Sequence, residues 1–410
     1  MPLRVDGLDR TTRAVLGREW MMHGHLQDRV GMALVLEVAD RQTMQDLAIA
    51  EWQAASPVYT RRMRAAMGIE GDGVDAVFKA LQLDVGAPHQ FLDFRFALHD
   101  RDHGEFWLAH CGALMDVEPM GEQFVHGMCH AIEDPTFDAT AGATNPLVQV
   151  RPLHRPPRVP ADRVPHCAWR VDVVPGAETV APSPLEERVA ASRAARLPVP
   201  SYADSDDGGL PNRSGPFDPD FALEDLSGAA QRVVLDELAT QSHLLVRSFV
   251  LAVTERLGAD VAAGMLPRLV RGWCGLTSQR LQRAFDLPAT ADGVASLLAL
   301  HPALAPVAYT EAQVELEDDR HVRLSLGRGD GDDATWLSLP ERGTLVAAFL
   351  QAAVPQVRVH EDGADLLVVV DPAADPAPAV PELAVAHVST GAGFRFGARP
   401  LPGQTVRTSV

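Results

Sequence analysis

The sequence predicts an α+β fold built from two tandem homologous repeats that pack together as a pseudo-dimer. Residues 1–175 contain a helical N-terminal part followed by an antiparallel sheet with a short helix, and residues 223–410 repeat this order. Residues 176–222 are rich in Pro, Ser and Asp and are interpreted as a linker. Two similar units in one chain are expected to associate about a two-fold axis, as the subunits of a homodimer do.

Four short segments of the first half match segments of the second half in the same order. Each match is short, so the shared order is the stronger evidence for an internal duplication. The matches are RRMRAAMGI at 61–69 with QRLQRAFDL at 279–287, GDGV at 71–74 with ADGV at 291–294, LHDRDH at 98–103 with LEDDRH at 316–321, and CAWRV at 167–171 with AGFRF at 392–396.

Hydrophobic periodicity gives the elements of the first half in order. Residues 35–69 have helical spacing, with a break expected near Ser56-Pro57 because proline disrupts a helix interior. The later elements are predicted to be a helix at 74–83, a two-strand hairpin around a polar turn at 99–104, a helix at 121–133, and strands in LVQVRPL and HCAWRVDV.

The second half is predicted to have the same elements and to end in a strand, FRFGARP at 394–400. Its helix at 343–354 is taken as the counterpart of the helix at 121–133, and it lacks His, Cys and acidic residues. By contrast, His103 has a counterpart in His321 and is interpreted as a feature of the shared turn. We therefore predict that the first half holds a functional site and that the second half is a degenerate scaffold.

Composition limits the classes of partner. The net charge of −19 argues against nucleic acid and anionic membranes, because phosphate binding needs a basic surface. No apolar run reaches the ~20 residues of a membrane span, and the N-terminus lacks a signal-peptide pattern. These features predict a soluble cytoplasmic protein that acts on a small-molecule substrate, with a homo-oligomer left open. Its four cysteines have no CxxC spacing and are expected to be free thiols.

The stretch HCGALMDVEPMGEQFVHGMCHAIED, residues 110–134, is the main functional lead. At about 100° per residue, its predicted helix places His126, Cys129, His130 and Glu133 on one side. The opposite side is an ordinary apolar surface formed by Phe124, Val125, Met128, Ala131 and Ile132. Because a solvated helix surface normally carries Lys, Glu, Arg or Gln, a surface of His and Cys residues indicates chemistry.

The first hypothesis is a divalent transition-metal site that holds zinc or iron. His126 and His130, four residues apart, can bind one ion from one helix side, with Cys129 beside them. Metal-bound water would then be the nucleophile, and Glu133 the general base. The further ligand is expected from one of His110, Cys111, Asp134, Asp138, His154, His166 and Cys167.

Three alternatives remain open. One is a metal-free thiol enzyme, in which Cys129 is the nucleophile, His126 or His166 its base, and Glu133 or Asp134 orients that base. The second is a non-catalytic small-molecule binding protein whose His and Cys residues line a pocket. The third is a polar core between the repeats in which these side chains satisfy one another.

Further residues are candidates for substrate contact. In the N-terminal segment, His25 and Asp28 share one side if that segment is helical, and they are interpreted either as incidental polar residues or as a second contribution to the site. Arginines in RPLHRPPR at 151–158 suit a substrate carboxylate, although a solvated loop explains them equally well. The substrate-binding candidates are Arg151, His154, Arg155, Asp134 and Cys167.

The final predicted strand of each half has the form Cys-x-aromatic-Arg, as in Cys167-Ala168-Trp169-Arg170 and, more faintly, Gly393-Phe394-Arg395-Phe396. With the helices, hairpin and short helix before it, this unit resembles the L-2-amino-thiazoline-4-carboxylic acid hydrolase-like family, and it is similar to 4-vinyl reductase-like small-molecule domains. The resemblance implies metal-assisted hydrolysis or ring opening of a small cyclic amide-like substrate, or the binding of a comparable molecule.

Overall fold

A computed structural model describes residues 2–179, 181–203, 207–329, 335–387 and 389–397. Within these ranges the chain forms two α+β halves, each with long helices, a two-strand hairpin, a helix and two further strands in this order, and with the same sheet topology, which confirms the predicted fold class. No helix in the described ranges has both the length and the apolar character needed to cross a membrane.

The first half places its long helices before a four-stranded antiparallel sheet of order β1-β2-β4-β3. Several short helical segments lie between β2 and β3, and one of them has π-helical hydrogen bonding. The elements are α1 Arg10–Leu36, α2 Arg41–Ala66, α3 Val74–Leu81, β1 Leu92–Leu98, β2 His103–Cys111, α4 Gly112–Val117, α5 Glu122–His126, the π segment Gly127–Ile132, α6 Glu133–Gly142, β3 Val148–His154 and β4 Cys167–Val173.

The second half has the equivalent sheet order, β5-β6-β8-β7. A short helix, α7 Pro184–Ala190, lies in the stretch between the halves, and it buries Leu185 and Val189. The second-half elements are α8 Gly228–Leu257, α9 Ala259–Ala284, α10 Ala291–Ala299, α11 Val307–Thr310, β5 Gln313–Leu316, β6 His321–Ser325, α12 Arg342–Ala353, β7 Val357–Asp362 and β8 Asp365–Val370.

The long helices of the two halves pack across each other, α2 on α8 and α1 on both α8 and α9. Two buried ion pairs join the halves in a reciprocal manner: Glu19 binds Arg280, and Glu237 binds Arg62. In the sequence, Glu19 is as far from Glu237 as Arg62 is from Arg280, so the two glutamates and the two arginines occupy equivalent positions of the halves. Reciprocal contacts between equivalent positions are the mark of a two-fold, isologous interface. The halves are therefore packed as a pseudo-dimer.

Local geometry confirms two of the sequence matches. The chain leaves α2 at Gly68 and α9 at Asp286 with positive φ values of 61° and 49°. In the hairpin turns, the Nδ1 atoms of His103 and His321 lie 2.8 and 2.9 Å from a carboxylate oxygen of Asp100 and Asp318, respectively. These histidines therefore belong to the shared turn, as predicted.

Residues 10–36 form a largely buried helix that includes His25 and Asp28. One prediction about the first helices is wrong: α2 continues through Pro57 without the expected break. Its buried residues around Pro57 belong to a helix that packs on α8, and this packing offsets the local cost of an interior proline, about 3 kcal/mol.

The predicted final strand of the second half is also wrong. Described residues 394–397 form no strand, and residues 398–400 lie outside the described ranges. The register shows that β8 is the equivalent of β4, since His103 pairs with Asp172 and His321 with Val369. The sequence does not indicate the strand β7, because its charged sequence, VRVHED, lacks the apolar run expected of a strand. The strand at 394–400 was predicted in its place.

The pairing of the strands also shows that α12 is not the counterpart of the helix predicted at 121–133. The amide of Val148 donates to the carbonyl of Asn145, and that of Val357 donates equivalently to Val354. The helix before β7, α12, is therefore equivalent to α6, and not to the His- and Cys-containing segment that precedes α6.

Candidate functional site

A cavity of about 220 Å³ lies inside the first half, between α1, α2, the first hairpin and the helical segments from α4 to α6. Val385 of the second half contributes to its wall. Aliphatic and sulfur-containing side chains form much of the remaining wall, including Met32, Met44, Leu92, Met128 and Ile132. Its aromatic residues are Trp52, Tyr59, Phe94, Phe124 and Phe137. An apolar cavity with a few polar groups is the usual form of a small-molecule site.

Four polar side chains of this wall carry buried atoms that have no hydrogen-bond partner within the described protein. These atoms are His25 Nε2, Arg29 Nε, Gln45 Nε2 and Glu133 Oε2. A buried polar atom without a partner costs about 1–3 kcal/mol, so several of them around one cavity require an explanation. A ligand or ordered water in the cavity would satisfy them.

Glu133 is positioned by the π segment Gly127–Ile132, which ends directly before it. A π-helical turn contains more residues than an α-helical turn, so it rotates the following residues relative to an α-helical projection. Glu133 consequently lines the cavity with Met128 and Ile132, instead of lying beside His126. Burial, together with the nearby Asp134, raises the pKa of Glu133 to about 8, although Arg155 and Arg29 act in the opposite direction.

Asp116 is held in the wall by a segment of the other half. Its carboxylate accepts hydrogen bonds from Ser389 Oγ at 2.9 Å, from the Thr390 amide at 2.6 Å and from Thr390 Oγ1 at 2.7 Å. Its Oδ2 also lies 3.8 Å from His25 Nε2. Burial favours the neutral acid, but the adjacent His25 and Arg29 side chains and the hydrogen bond from Thr390 together lower the pKa of Asp116. Asp116 is therefore a fixed negative charge in the wall.

The predicted His- and Cys-containing surface is not assembled on one side of a helix. His126 is exposed and lies 3.4 Å from Glu122, whereas His130 is half-buried with Nε2 at 2.6 Å from the Pro156 carbonyl. Their rings are close, with centroids 4.4 Å apart, but Cys129 is buried in the core. The π segment separates these positions, which a continuous α-helix would have aligned.

The other predicted ligands are also engaged locally. His110 and His166 have ring centroids 5.6 Å apart, and His166 Nδ1 accepts a hydrogen bond from the Cys111 amide at 3.1 Å. Burial, followed by the charge of Arg158, lowers the pKa of His166 to about 4. At neutral pH His166 is therefore uncharged.

The candidate substrate-binding arginines bind carboxylates of their own half. Arg151 pairs with Asp138 at 2.8 Å, and Arg155 pairs with Asp134. Burial lowers the pKa of the half-buried His154. These pairs tie the strand β3 and the loop after it to α6, so they support the wall that carries Glu133.

Within the described ranges, no group of three or more His, Cys, Asp or Glu side chains is arranged to hold a metal ion. The expected ligand set His126, His130, Cys129, His110 and Cys111 is thus not gathered around one point. The zinc or iron site therefore stays a prediction, and the chemistry considered below is based on the cavity.

Three of the four cysteines, Cys111, Cys129 and Cys167, are buried close to Glu133 and influence one another's ionisation. Burial is the largest cause of the change, and the charge of Glu133 adds to it. Together they raise the pKa of Cys111 to about 12, and they hold the pKa values of Cys129 and Cys167 well above that of an ordinary thiol. Because the thiolate is the nucleophilic form, this environment disfavours thiol catalysis.

The native protein is therefore expected to resist thiol modification. Incubation with 5,5′-dithiobis(2-nitrobenzoate) at pH 7.5 should release almost no thionitrobenzoate within minutes, whereas the denatured chain should react at all four cysteines. Rapid reaction at Cys129 in the native state would contradict this expectation and restore the thiol-enzyme hypothesis.

The second half fills the space that corresponds to the cavity. By the β3 and β7 register, Thr136 and Thr140, which line the cavity, are equivalent to Leu345 and Phe349, which are fully buried. The buried Trp336 packs against Phe349, with ring centroids 6.5 Å apart. The fold can therefore be formed without a cavity at this position.

Some cavity residues have structural equivalents and others were missed in the sequence. His25 packs on Phe91 as His243 packs on Tyr309, so the histidine–aromatic contact belongs to the shared fold. The sequence drew attention to His25 and Asp28, and both line the cavity. It did not indicate Arg29, Gln45, Trp52, Asp84 or Asp116. The available signal was the presence of charged residues within otherwise apolar helices such as α1.

No family model, no curated protein and no solved structure matches this chain significantly. The class that the fold and site define is a duplicated α+β protein with a ligand-type cavity in its first half.

Proposed function

We propose that the first half binds a compact, largely apolar small molecule in the cavity and that Glu133 exchanges a proton with it. The observation that supports this most strongly is the buried, unpartnered Oε2 atom of Glu133 on an otherwise apolar wall. A π segment adjoins it, and such segments are frequent at functional sites.

The electrostatic environment suits Glu133 to acid–base chemistry. A carboxyl group whose pKa is raised to about 8 holds its proton at neutral pH and can donate it to a bound molecule. For the ring-opening or hydrolytic reaction that the family resemblance suggests, Glu133 would protonate the departing heteroatom. Binding without reaction is the second candidate, and it is favoured by the small number of reactive groups in the wall.

The second half would then serve as a scaffold that completes the site. Val385 reaches the cavity, and Ser389 and Thr390 hold Asp116. Arg280 binds the carbonyls of Gly391 and Phe394 and so fixes the segment that contains these residues. The first-half cavity therefore depends on the second half for part of its wall.

The equivalence of the halves supplies a test of this proposal. In the variant Thr136→Leu/Thr140→Phe, the first half receives the second half's buried side chains, which should fill the cavity. We expect it to fold, to gain about 1 kcal/mol in the free energy of unfolding from added apolar burial, and to lose ligand binding. Ligand-observed NMR with indole and naphthalene measures the binding, and urea denaturation measures the stability.

A matched control is Thr136→Val/Thr140→Val, which removes the same hydroxyls without adding large side chains. It should keep binding indole and naphthalene. If the Leu/Phe variant binds both molecules as well as the unmodified protein does, the cavity is not the site.

A further inference from the structure

Carboxyl groups outnumber basic groups in the cavity wall. Among the described lining residues, four carry carboxyl groups, one carries a guanidinium, and one carries an imidazole. The guanidinium of Arg29 is already paired with Asp28 at 3.1 Å. Burial lowers the pKa of His25, so this imidazole adds no full positive charge at neutral pH. The carboxyl residues are Asp28, Asp84, Asp116 and Glu133.

Three of these carboxyl groups are engaged by protein donors. Asp28 accepts from Trp52 Nε1 at 3.2 Å, Asp84 accepts from Tyr59 and the Gly86 amide, and Asp116 is bound by Ser389 and Thr390. Glu133 differs, since its Oε2 is buried without a partner. It is therefore the carboxyl group available to a ligand.

Aromatic rings provide a second, independent feature. Trp52, Phe94, Phe124 and Phe137, with Tyr59, line the same cavity as these carboxyl groups. The faces of aromatic rings attract cations, and aromatic cages recognise methylated and quaternary ammonium groups. A wall of aromatic rings with a free carboxyl group is complementary to a positive charge on an apolar body.

We propose that the ligand of this cavity is an organic cation, an ammonium group attached to a compact apolar body, and that Glu133 is its anchoring carboxylate. This inference rests on the proposed function, because it uses the same cavity. An anionic ligand would meet four carboxyl groups in a site of low polarity, whereas a cationic ligand would give the ionised form of Glu133 a partner.

The groups that surround Glu133 determine how binding depends on pH. Asp134 opposes ionisation of Glu133, Arg155 and Arg29 favour it, and Cys111, Cys129 and Cys167 are buried beside it as neutral thiols. A bound cation favours the carboxylate, so Glu133 releases its proton on binding. The affinity for a cation of fixed charge is therefore expected to rise from pH 6 to pH 8 and then to level off.

The test compares molecules of similar shape and different charge on the full-length protein. The probes are benzylamine, benzyltrimethylammonium, benzyl alcohol and benzoate, measured by isothermal titration calorimetry at pH 8 and low salt. We expect both cations to bind at least tenfold more tightly than benzyl alcohol, and benzoate to bind most weakly. Glu133→Gln should remove this preference, while Glu122→Gln, which neutralises a 74% exposed side chain nearby, should retain it.

The possible failures can be told apart. If benzyl alcohol or benzoate binds as tightly as benzylamine, and binding is lost in the Thr136→Leu/Thr140→Phe variant, the cavity is the site but the cation assignment is wrong. If the cations bind best but Glu133→Gln has no effect, Glu133 is not the anchor and the inference is overturned. If none of the four probes binds, and indole and naphthalene also fail to bind, the proposed function is overturned as well.

Discussion

Replacing Arg280 by Ala is expected to lower the free energy of unfolding by about 3–5 kcal/mol, because it leaves the buried carboxylate of Glu19 without its partner. The Arg280 and Glu19 side chains are only 2% and 5% exposed, and they are joined by hydrogen bonds of 2.7 and 3.0 Å. Arg280 also donates to the carbonyls of Gly391 and Phe394. Urea denaturation at pH 7 measures the change.

The pseudo-two-fold arrangement supplies an internal comparison. Arg62→Ala breaks the equivalent buried pair with Glu237 and should cost a similar amount. Arg188→Ala is the control, since Arg188 and Glu255 are 45% and 52% exposed and such a pair is worth at most about 1 kcal/mol. Equal losses for Arg280→Ala and Arg188→Ala would show that the buried pair does not hold the halves together.

Loss of Arg280 should also weaken ligand binding. The carbonyls that Arg280 binds lie in the same C-terminal segment as Val385, Ser389 and Thr390, which complete the cavity and hold Asp116. If Arg280→Ala lowers the free energy of unfolding but leaves the ligand affinity unchanged, the interface between the halves does not support the cavity.

The second prediction is that Glu133→Gln makes the protein more stable, by an amount that increases with pH. Below pH 4.5 Glu133 is protonated in both the folded and the unfolded chain, so the substitution should change little. Between pH 4.5 and about 8 the unfolded chain ionises while the folded state retains the proton, so the unmodified protein progressively loses stability. At pH 8 and above the variant should be more stable by on the order of 4–5 kcal/mol.

Denaturation at pH 4.5, 6, 7 and 8.5 measures this dependence as the difference between the variant and the unmodified protein. Taking the difference removes the contributions of all other titrating groups. Glu122→Gln serves as the control, because its exposed side chain should give a difference within about 0.5 kcal/mol at every pH. If the difference in the free energy of unfolding for Glu133→Gln is also independent of pH, the carboxyl group of Glu133 is solvated in the folded state. The same variant should lose cation binding, so stability and function are expected to change in opposite directions at this residue.

The sequence by itself determined the class of fold and most of its elements. The order of matched segments predicted the duplication, and equivalent positions such as Arg62 and Arg280 occupy equivalent places in the two halves. Hairpins were predictable because alternation and turn residues are local signals. The strand β7 was not, because its charged residues carry little hydrophobic signal and it is held by pairing with β8.

The site was predicted only in part, for physical reasons. The stretch at 110–134, which the sequence singled out, contributes Cys111, Met128 and Glu133 to the cavity wall. Which side chains point inward depended on the π segment, whose rotation of the chain is invisible to a projection at a constant angle. His126 therefore lies outside, and Glu133 lies inside.

Only the tertiary structure brought together the remaining parts of the wall. Arg29 and Asp28 come from α1, Gln45 and Trp52 from α2, Asp116 from α4, and Val385 from the other half. No local pattern joins residues so distant in the chain, because their proximity results from the packing of one half against the other. The sequence thus determined two similar α+β halves, and their packing brought these separate segments together around the cavity of the first half.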